Sequence, residues 1–285
     1  MNRTIIITGA GGFIGEELVS YFSGIGWKVK AFVHSIPFNT MSGIEYYKYD
    51  LEMMPEEILF ANVDFLVHAA YLKYEKNNDA DGINLNGTKN IIDACRKNNI
   101  KQLFLSSFSA HINAESHYGK SKLECEKLFD LSRDVVLKPG FVIGKKGLSG
   151  KLIDTIRKSS FFPLVGGGEQ PLQTVCIDDL CSVIEMTLRN NTGLFYVAEP
   201  EAIAMKVFYS EIASQLNKKI YFLPFPLSVL FAMSKIGEGM SFKLPVSSES
   251  ILGLKHLSKF ETEDDLKLIG LKLKNYKESL QFILK

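Results

Sequence analysis

Short apolar runs alternate with amphipathic helical patterns through the first half of the chain. Such runs are typical of buried parallel strands, and the segments between them have the periodicity of helices that cover a sheet. The predicted strands are Ile5–Thr8, Lys28–Val33, Glu45–Tyr49, Phe65–His68, Gln102–Ser106 and Val135–Lys138. This alternation predicts an α/β fold with a doubly wound parallel sheet of the Rossmann type.

A glycine-rich turn, Thr8–Gly15, joins the first predicted strand to an amphipathic helix. Glycines at such a junction let the backbone approach a pyrophosphate, and the helix N-terminus directs N–H groups towards it. The spacing Gly9-x-x-Gly12-x-x-Gly15 fits this use. The pattern G-x-G-x-x-G fits poorly, because it would require a small residue where Ile14 stands. A plain tight turn is the other interpretation, which the flanking strand and helix disfavour.

A tyrosine and a lysine are spaced one helical turn apart in the segment Tyr118–Lys122. Because residues at i and i+4 share a helix face, we expect the Lys122 ammonium near the Tyr118 hydroxyl, where it favours the ionised phenol. Tyr118 is therefore a candidate general acid or base for hydride chemistry on a nicotinamide. Tyr-x-x-x-Lys also occurs by chance, and its position downstream of the glycine turn favours the chemical interpretation.

With these two motifs the chain resembles the extended branch of the short-chain dehydrogenase/reductase superfamily, which contains nucleotide-sugar epimerases, dehydratases and reductases. The resemblance covers most of the chain. Four further segments are similar to family segments and follow the family's order: Asp64–Ala70, Ile83–Thr88, Lys138–Gly144 and Val175–Leu180. The resemblance implies an NAD(P)-dependent epimerase or reductase acting on a sugar nucleotide.

The resemblance also implies individual site residues. Ser107, at the end of the fifth strand, would complete the catalytic set with Tyr118 and Lys122, and Ser109 is the alternative serine. Asn84 matches a family asparagine near the active site, with a helix-start or backbone-bridging role as the other interpretation. The implied cofactor-binding residues are Gly9, Gly12, Phe13, Ile14, Gly15, His34, Asp50, Leu51, Ala69, Ala70, Tyr118, Lys122, Pro139 and Val142.

The end of the second strand bears on the choice between NAD and NADP. In Rossmann-type sites an acid there binds the ribose 2′-hydroxyl, whereas a cation accommodates a 2′-phosphate. Val33 stands where the resembling NAD-binding enzymes carry aspartate, and His34 and Ser35 could meet a phosphate. We therefore favour NADP slightly over NAD.

The implied domains follow from a looser pattern after about Gly144, where glycines and prolines interrupt short elements. We expect a dinucleotide-binding domain at residues 1–165, to which residues 174–190 return, and a smaller, mainly substrate-binding lobe at residues 166–285. The segment Pro226–Met233 is strongly apolar but shorter than the ~18 residues that span a bilayer. We expect a buried or cleft-lining helix there and no membrane span.

Composition agrees with a cytoplasmic enzyme. The formal net charge is +1 with both signs interspersed, so we expect a small-molecule substrate and no nucleic-acid partner; a homodimer is compatible with the pattern. The four cysteines contain no Cys-x-x-Cys pair, which favours buried free thiols in a reducing compartment over a metal site. They are Cys95, Cys125, Cys176 and Cys181.

Two departures from the family keep other functions open. Many nucleotide-sugar epimerases carry an arginine before the returning strand that binds the substrate diphosphate, and Leu172 and Gln173 stand there. The interval between Ser107 and Tyr118 is also short. An NADPH-dependent reductase of a non-nucleotide ketone or alcohol is therefore an alternative, and a non-catalytic dinucleotide-bound scaffold is another.

Overall fold

A parallel β-sheet forms the centre of the computed structural model, which describes residues 3–74, 79–226 and 258–285. Its strands are β1 (Thr4–Thr8), β2 (Lys28–Val33), β3 (Ile44–Lys48), β4 (Phe65–His68), β5 (Lys101–Leu105), β6 (Val135–Pro139) and β11 (Gly193–Val197). Within the described residues these seven strands form one sheet in the order β3-β2-β1-β4-β5-β6-β11. The strand order reverses between β1 and β4, which is where doubly wound sheets bind dinucleotides.

Helices cover both faces of the sheet. On one face α1 (Phe13–Gly24) packs against α5 (Ile177–Asn190), and on the other α2 (Ala80–Lys97) packs against α3 (His117–Glu126). Successive strand residues point to opposite faces, so the side chains of a single strand supply both cores. In β1, for example, Ile5 and Ile7 pack in the core beneath α1, whereas Ile6, between them, packs in the core beneath α2. The predicted doubly wound α/β fold is confirmed.

All six predicted strands are present, and their ends differ from the prediction by at most one residue. The prediction missed the edge strand β11, which pairs with β6 from Gly193 to Val197. Five apolar residues carry too little periodicity to distinguish a strand from a buried helix turn.

Elsewhere in the described residues, the structure forms three short strand pairs and further helices. β7 (Phe141–Ile143) pairs with β10 (Thr174–Cys176), β9 (Pro171–Leu172) with β12 (Ile203–Ala204), and β8 (Phe161–Val165) with β13 (Tyr221–Phe225). The helices are α4 (Gly147–Lys158), α6 (Met205–Gln215), α7 (Glu263–Ile269) and α8 (Tyr276–Leu284). β10 pairs with β7 outside the seven-stranded sheet, while α5 packs against α1 and β11 pairs with β6. The expected return of residues 174–190 to the dinucleotide-binding domain stays a prediction. The division into two lobes at residue 165 stays a prediction.

The cysteines and the apolar segment have different outcomes. All four cysteines are buried free thiols, as predicted. Residues 227–233, most of the apolar segment expected to form a cleft-lining helix, lie outside the described residues. No helix of the described ranges is both long and apolar enough to cross a membrane.

The C-terminal helix α8 is integrated into the main core. Leu280 is fully buried in the cluster that also contains the buried faces of α1 and α5. We expect Leu280→Ala to lower the free energy of unfolding by about 2–5 kcal/mol, because it leaves a cavity in this core. Denaturant unfolding measures the change. The matched control is Gln281→Ala, at an exposed position of the same helix, and an equal loss in both variants would contradict this packing.

Candidate functional site

The carboxyl ends of the parallel strands bring the predicted site segments to one edge of the sheet. Thr8 at the end of β1 pairs with Phe32 of β2 on one side and with His68 of β4 on the other. The glycine turn, the Ala69–Ala70 segment, Ser107 and Pro139 follow or end strands of this sheet. This is the edge at which open α/β sheets bind ligands.

Steric contacts explain which glycines the turn requires. Gly9 has φ of +68°, and a Cβ there would lie 2.7 Å from the Ala70 backbone. A Cβ on Gly15 would overlap the Gly9 carbonyl oxygen. Gly12 is the N-cap of α1, and its N–H donates to the Gly9 carbonyl at 2.9 Å. At Gly11, by contrast, the nearest atom would be 3.9 Å away, so a side chain fits. The contacts therefore follow the Gly9-x-x-Gly12-x-x-Gly15 spacing.

A buried hydrogen-bonded chain fixes this turn against β4. The His68 ring nitrogens interact with Thr8 Oγ1 at 2.7 Å and with Thr88 Oγ1 at 3.0 Å. The Ala70 N–H donates to the same Thr8 hydroxyl. Burial lowers the pKa of His68 from 6.5 to about 3, and the Lys122 charge acts in the same direction. The imidazole is therefore neutral near pH 7, and its role is to hold the glycine turn in place.

The first turn of α1 carries the two apolar site candidates. Phe13 and Ile14 are half-buried against the main core. The Phe13 ring lies over the backbone of Gly144 and Gly147, where an added Cβ would clash with the ring. Phe13 therefore joins the glycine turn to the segment after β7.

Val33, at the end of β2, is buried in the core. No acidic side chain therefore stands at this position to bind a ribose hydroxyl. The exposed His34 places Nε2 3.2 Å from the Asp50 carboxylate. Asp50 also accepts a hydrogen bond from the Glu52 N–H, and the adjacent Leu51 is buried against Gly87 of α2. The structure thus brings the predicted residues His34 and Asp50 together, a pairing that the sequence did not indicate.

Tyr118 and Ser107 meet at the end of β5. Burial raises the pKa of the Tyr118 phenol above its ordinary value of 10.0, and a side-chain hydrogen bond with Ser107 acts in the opposite direction. Ser107 Oγ also accepts a hydrogen bond from the Ser109 N–H at 3.1 Å. Of the two candidate serines, Ser107 is therefore the one near enough to act on the Tyr118 phenol.

Lys122 lies one turn from Tyr118 but has a different partner from the expected one. Its ammonium is almost fully buried and donates to the Leu105 carbonyl at 2.7 Å. Burial lowers the pKa of Lys122 from 10.5 to about 8, while Cys125 and Glu126 oppose that fall. Lys122 is not among the groups that shift the pKa of Tyr118. The lowering of that pKa was expected from Lys122 together with an oxidised nicotinamide, and it stays a prediction.

Tyr71 is a site residue that the sequence analysis missed. Its ring meets the Tyr118 ring edge-on, with centroids 5.0 Å apart, and Lys122 Nζ lies 5.1 Å from the Tyr71 centroid. The buried hydroxyls of Tyr71 and Ser121 lie near each other, but neither has a hydrogen-bond partner of normal geometry in the described residues. The available signal was an aromatic residue directly after Ala70 at a strand end.

Other predicted residues have mainly structural contacts. Asn84 is buried and bridges the backbone, with Oδ1 accepting from the Leu72 N–H and Nδ2 donating to the Leu72 carbonyl, each at 2.8 Å. This geometry matches the backbone-bridging interpretation. Pro139 is buried at the end of β6, where its carbonyl accepts from the Phe108 N–H, and Val142 is half-buried in β7.

Leu172 and Gln173 occupy the place expected for a diphosphate-binding arginine. Leu172 belongs to the main core. The buried Gln173 amide donates to the Glu199 and Phe260 carbonyls at 2.9 Å and accepts from the Phe260 N–H at 2.8 Å. Both side chains are therefore committed to the protein itself.

The arrangement defines a class of protein. A glycine turn at the switch point brings the backbone close to the Ala69–Ala70 segment and exposes a helix N-terminus, and a half-buried phenol and hydroxyl stand at the same edge. These residues fit a nicotinamide dinucleotide beside a proton-transfer group, as in a dinucleotide-dependent oxidoreductase.

Comparison with known families agrees with this class. The model of the NAD dependent epimerase/dehydratase family matches residues 5–196, more than half of the chain. The chain therefore belongs to this family, and the family expected from the sequence is confirmed.

Individual relatives differ in substrate. The chain is 25% identical to the N-acetyl-α-D-glucosaminyl-diphospho-ditrans,octacis-undecaprenol 4-epimerase of Escherichia coli O157:H7, over 81% of this chain and 78% of the relative. It resembles the solved UDP-N-acetylglucosamine 4-epimerase from Bacillus cereus at a TM-score of 0.74 and 19% identity, covering 99% and 98% of the two chains. A monomeric L-threonine 3-dehydrogenase from a metagenome has a TM-score of 0.77 and 17% identity, covering 98% and 97%. These two structural likenesses show the shared fold.

The glycine cradle gives a direct test of cofactor binding. We expect Gly15→Ala to weaken NAD⁺ or NADP⁺ binding by about tenfold or more, equivalent to about 1.4 kcal/mol, because the methyl group displaces the Gly9 carbonyl. Calorimetric titration measures the affinity. Gly11→Ala is the matched control in the same turn and should bind normally. Equal affinities of Gly15→Ala and the parent chain would refute the steric account.

Proposed function

We propose that the chain is an NAD(P)-dependent epimerase or reductase that acts on a sugar nucleotide. The observation that carries the proposal is that Ser107, Tyr118 and Lys122 come together at the sheet edge that holds the glycine turn. Family membership supports the same chemistry.

Each of the three polar residues has a distinct role in this proposal. The nicotinamide, when bound, supplies hydride transfer. Tyr118 donates a proton to, or accepts it from, the reacting substrate oxygen, and Ser107 donates a hydrogen bond to that oxygen. Oxidation of a substrate hydroxyl needs Tyr118 as the phenolate, which accepts the proton, and reduction of a carbonyl needs the neutral phenol, which donates it. Burial favours the neutral phenol. Lys122 keeps a positive charge near both groups and offers a donor for the nicotinamide ribose.

The cofactor-binding proposal distributes the predicted residues along the strand ends. The helix N-terminus at Gly12 faces the pyrophosphate, the His34–Asp50 pair lies at the adenosine end, and Tyr118 and Lys122 lie at the nicotinamide end. The further proposed contacts are Gly9, Phe13, Ile14, Gly15, Leu51, Ala69, Ala70, Pro139 and Val142.

We also infer a slight preference for NADP. The buried Val33 contributes no carboxylate to the ribose hydroxyls, and the His34 imidazole is exposed where it could donate to a 2′-phosphate. The Asp50 carboxylate opposes this preference, since it lies 3.2 Å from His34 and carries the charge that a phosphate avoids.

For the substrate, we propose an N-acetylhexosamine joined to a diphosphate, because this unit is common to the E. coli and B. cereus relatives. The commitment of Leu172 and Gln173 to internal contacts favours a diphosphate site built from other residues. A reductase of a non-nucleotide substrate is the second candidate, and the same absence of a cation at these two positions favours it. A cytoplasmic location is a further prediction, based on the buried free thiols.

Product analysis tests the proposed reaction. Purified protein is incubated with UDP-N-acetylglucosamine and NAD⁺, and NMR of the sugar identifies any product, while mass spectrometry identifies dinucleotide released from the fresh protein. A 4-epimer with retained oxidised cofactor supports an epimerase, and stoichiometric oxidation or reduction with exchange supports a reductase. Dinucleotide binding without turnover on a broad carbonyl and alcohol panel would favour the scaffold alternative.

The acid/base role makes a mutational prediction. We expect Tyr118→Phe to lower kcat by about 10²–10⁴-fold with nearly unchanged cofactor affinity, because the ring remains and only the proton-transfer group is lost. Lys122→Ala should impair both turnover and cofactor binding. Tyr209→Phe removes a hydroxyl from another half-buried tyrosine, on α6, and is the control. Normal turnover by Tyr118→Phe would show that the assignment is wrong.

The NADP preference depends on the pairing of His34 with Asp50. We expect Asp50→Asn to raise the affinity ratio of NADP⁺ over NAD⁺, since it removes a negative charge near the proposed phosphate position, and His34→Gln to lower it. Calorimetric titration of both cofactors gives the ratio, which cancels any general effect on adenosine binding. Tighter NAD⁺ than NADP⁺ binding by the parent chain, or an unchanged ratio in both variants, would refute the preference.

A further inference from the structure

A buried ion pair lies behind the candidate active site. Glu126, at the end of α3, and Lys138, in β6, have exposed fractions of 8% and 3%, and Lys138 Nζ lies 2.9 Å from Glu126 Oε2. Charged side chains are rarely this buried, because removing them from water is costly unless their partners are well placed. The proposed chemistry uses neither of them directly.

Hydrogen bonds extend this pair to the strand end and its loop. The Ser106 hydroxyl donates to Glu126 Oε1. Lys138 Nζ donates to the Ala110 carbonyl at 2.5 Å, and it lies 5.4 Å from the centroid of the Tyr196 ring. The pair therefore joins α3 and β6 to both ends of the segment that carries Ser107.

Three consecutive residues of this segment are attached to three successive turns of α3. The Leu105 carbonyl accepts from Lys122, the Ser106 hydroxyl donates to Glu126, and the Ser107 side chain contacts Tyr118. The helix residues are spaced by four, so they share one face. Without the hydrogen bond from Ser106 to Glu126, Leu105 and Ser107 would be held less firmly against the helix.

We propose that Glu126 and Lys138 are positioning residues that hold the Ser107-bearing strand end against α3 and balance the charge around the Lys122 ammonium. This inference rests on the proposed function, because the roles of Ser107, Tyr118 and Lys122 are proposed there. Lysine within the otherwise apolar strand β6 was the sequence signal for the pair.

The proposal predicts the direction in which the Lys122 pKa changes when the charges of the pair are removed. Lys122 is protonated below its pKa of about 8, and Glu126 raises that pKa against the effect of burial. Removing the Glu126 charge leaves the Lys138 charge uncompensated, so the Lys122 pKa should fall. Removing both charges also removes the repulsion from Lys138, so the pKa should return in part. The other titratable or charged groups near Lys122 or the pair are His68, Tyr71, Cys125, Tyr118 and Tyr196.

NMR titration of lysines labelled with ¹³C at Cε measures the Lys122 pKa without cofactor or substrate. The Lys122 signal is assigned by its loss in Lys122→Met. We expect Glu126→Gln to lower the midpoint by about two pH units, for a charge roughly 6 Å away at an effective dielectric constant of about 20. The double variant Glu126→Gln/Lys138→Met should recover part of the shift. An unmoved midpoint in Glu126→Gln, or an equal shift in the double variant, would overturn the proposal.

A matched control separates this role from general destabilisation. Gln102 donates to the buried Asp134 carboxylate at 3.0 Å, at the opposite ends of the same strands β5 and β6. Gln102→Leu should lower the melting temperature while leaving the Lys122 midpoint unchanged; a shift as large as that in Glu126→Gln would overturn the proposal. The Lys122 titration midpoint is measured without turnover. A Tyr118→Phe assay that contradicts the proposed function would therefore be a separate result.

Discussion

The approach of the Gly9 backbone to Ala70 is the contact on which the rest of the site depends. No Cβ fits between these segments, and the clash of a Cβ at Gly15 with the Gly9 carbonyl fixes the start of α1 in the same way. Thr8 and His68 hold the two strand ends in register from below. The result is a helix N-terminus directed along the edge where the sheet order reverses, which is the geometry that accommodates a pyrophosphate.

Helix α3 depends on a second set of contacts, which are polar and buried. Leu105, Ser106 and Ser107 each meet one turn of this helix, so the positions of Tyr118 and Lys122 are set by the strand end rather than by the helix alone. Buried polar groups are costly unless they are paired, so these three attachments favour one arrangement of the helix against the strand end. The glycine turn and the Tyr118 phenol are thus both held by the same edge of the central sheet.

The sequence predicts those parts of the molecule whose cause is local. The first strand, the glycine turn and α1 are contiguous, and the i, i+4 spacing of Tyr118 and Lys122 is a property of one helix. Contacts between distant segments were not predictable in the same way. The acceptor for Lys122 lies in β5, His34 meets an acid beyond β3, and Tyr71 reaches α3 from the end of β4. Edge strand β11 was missed because its pattern is short and becomes meaningful only beside β6.

Burial shifts the pKa values of both titratable groups of the proposed chemistry, and the shift at Lys122 has to be offset by a nearby charge. Burial raises the pKa of the Tyr118 phenol and lowers that of Lys122 to about 8, so each group is drawn towards its neutral form. A neutral phenol can donate a proton, but a neutral amine cannot stabilise the phenolate that remains. The site therefore needs a negative charge near Lys122 that does not itself compete for the substrate proton. Glu126 meets this requirement because its carboxylate is already bound by Ser106 and Lys138, one helical turn behind the reacting groups.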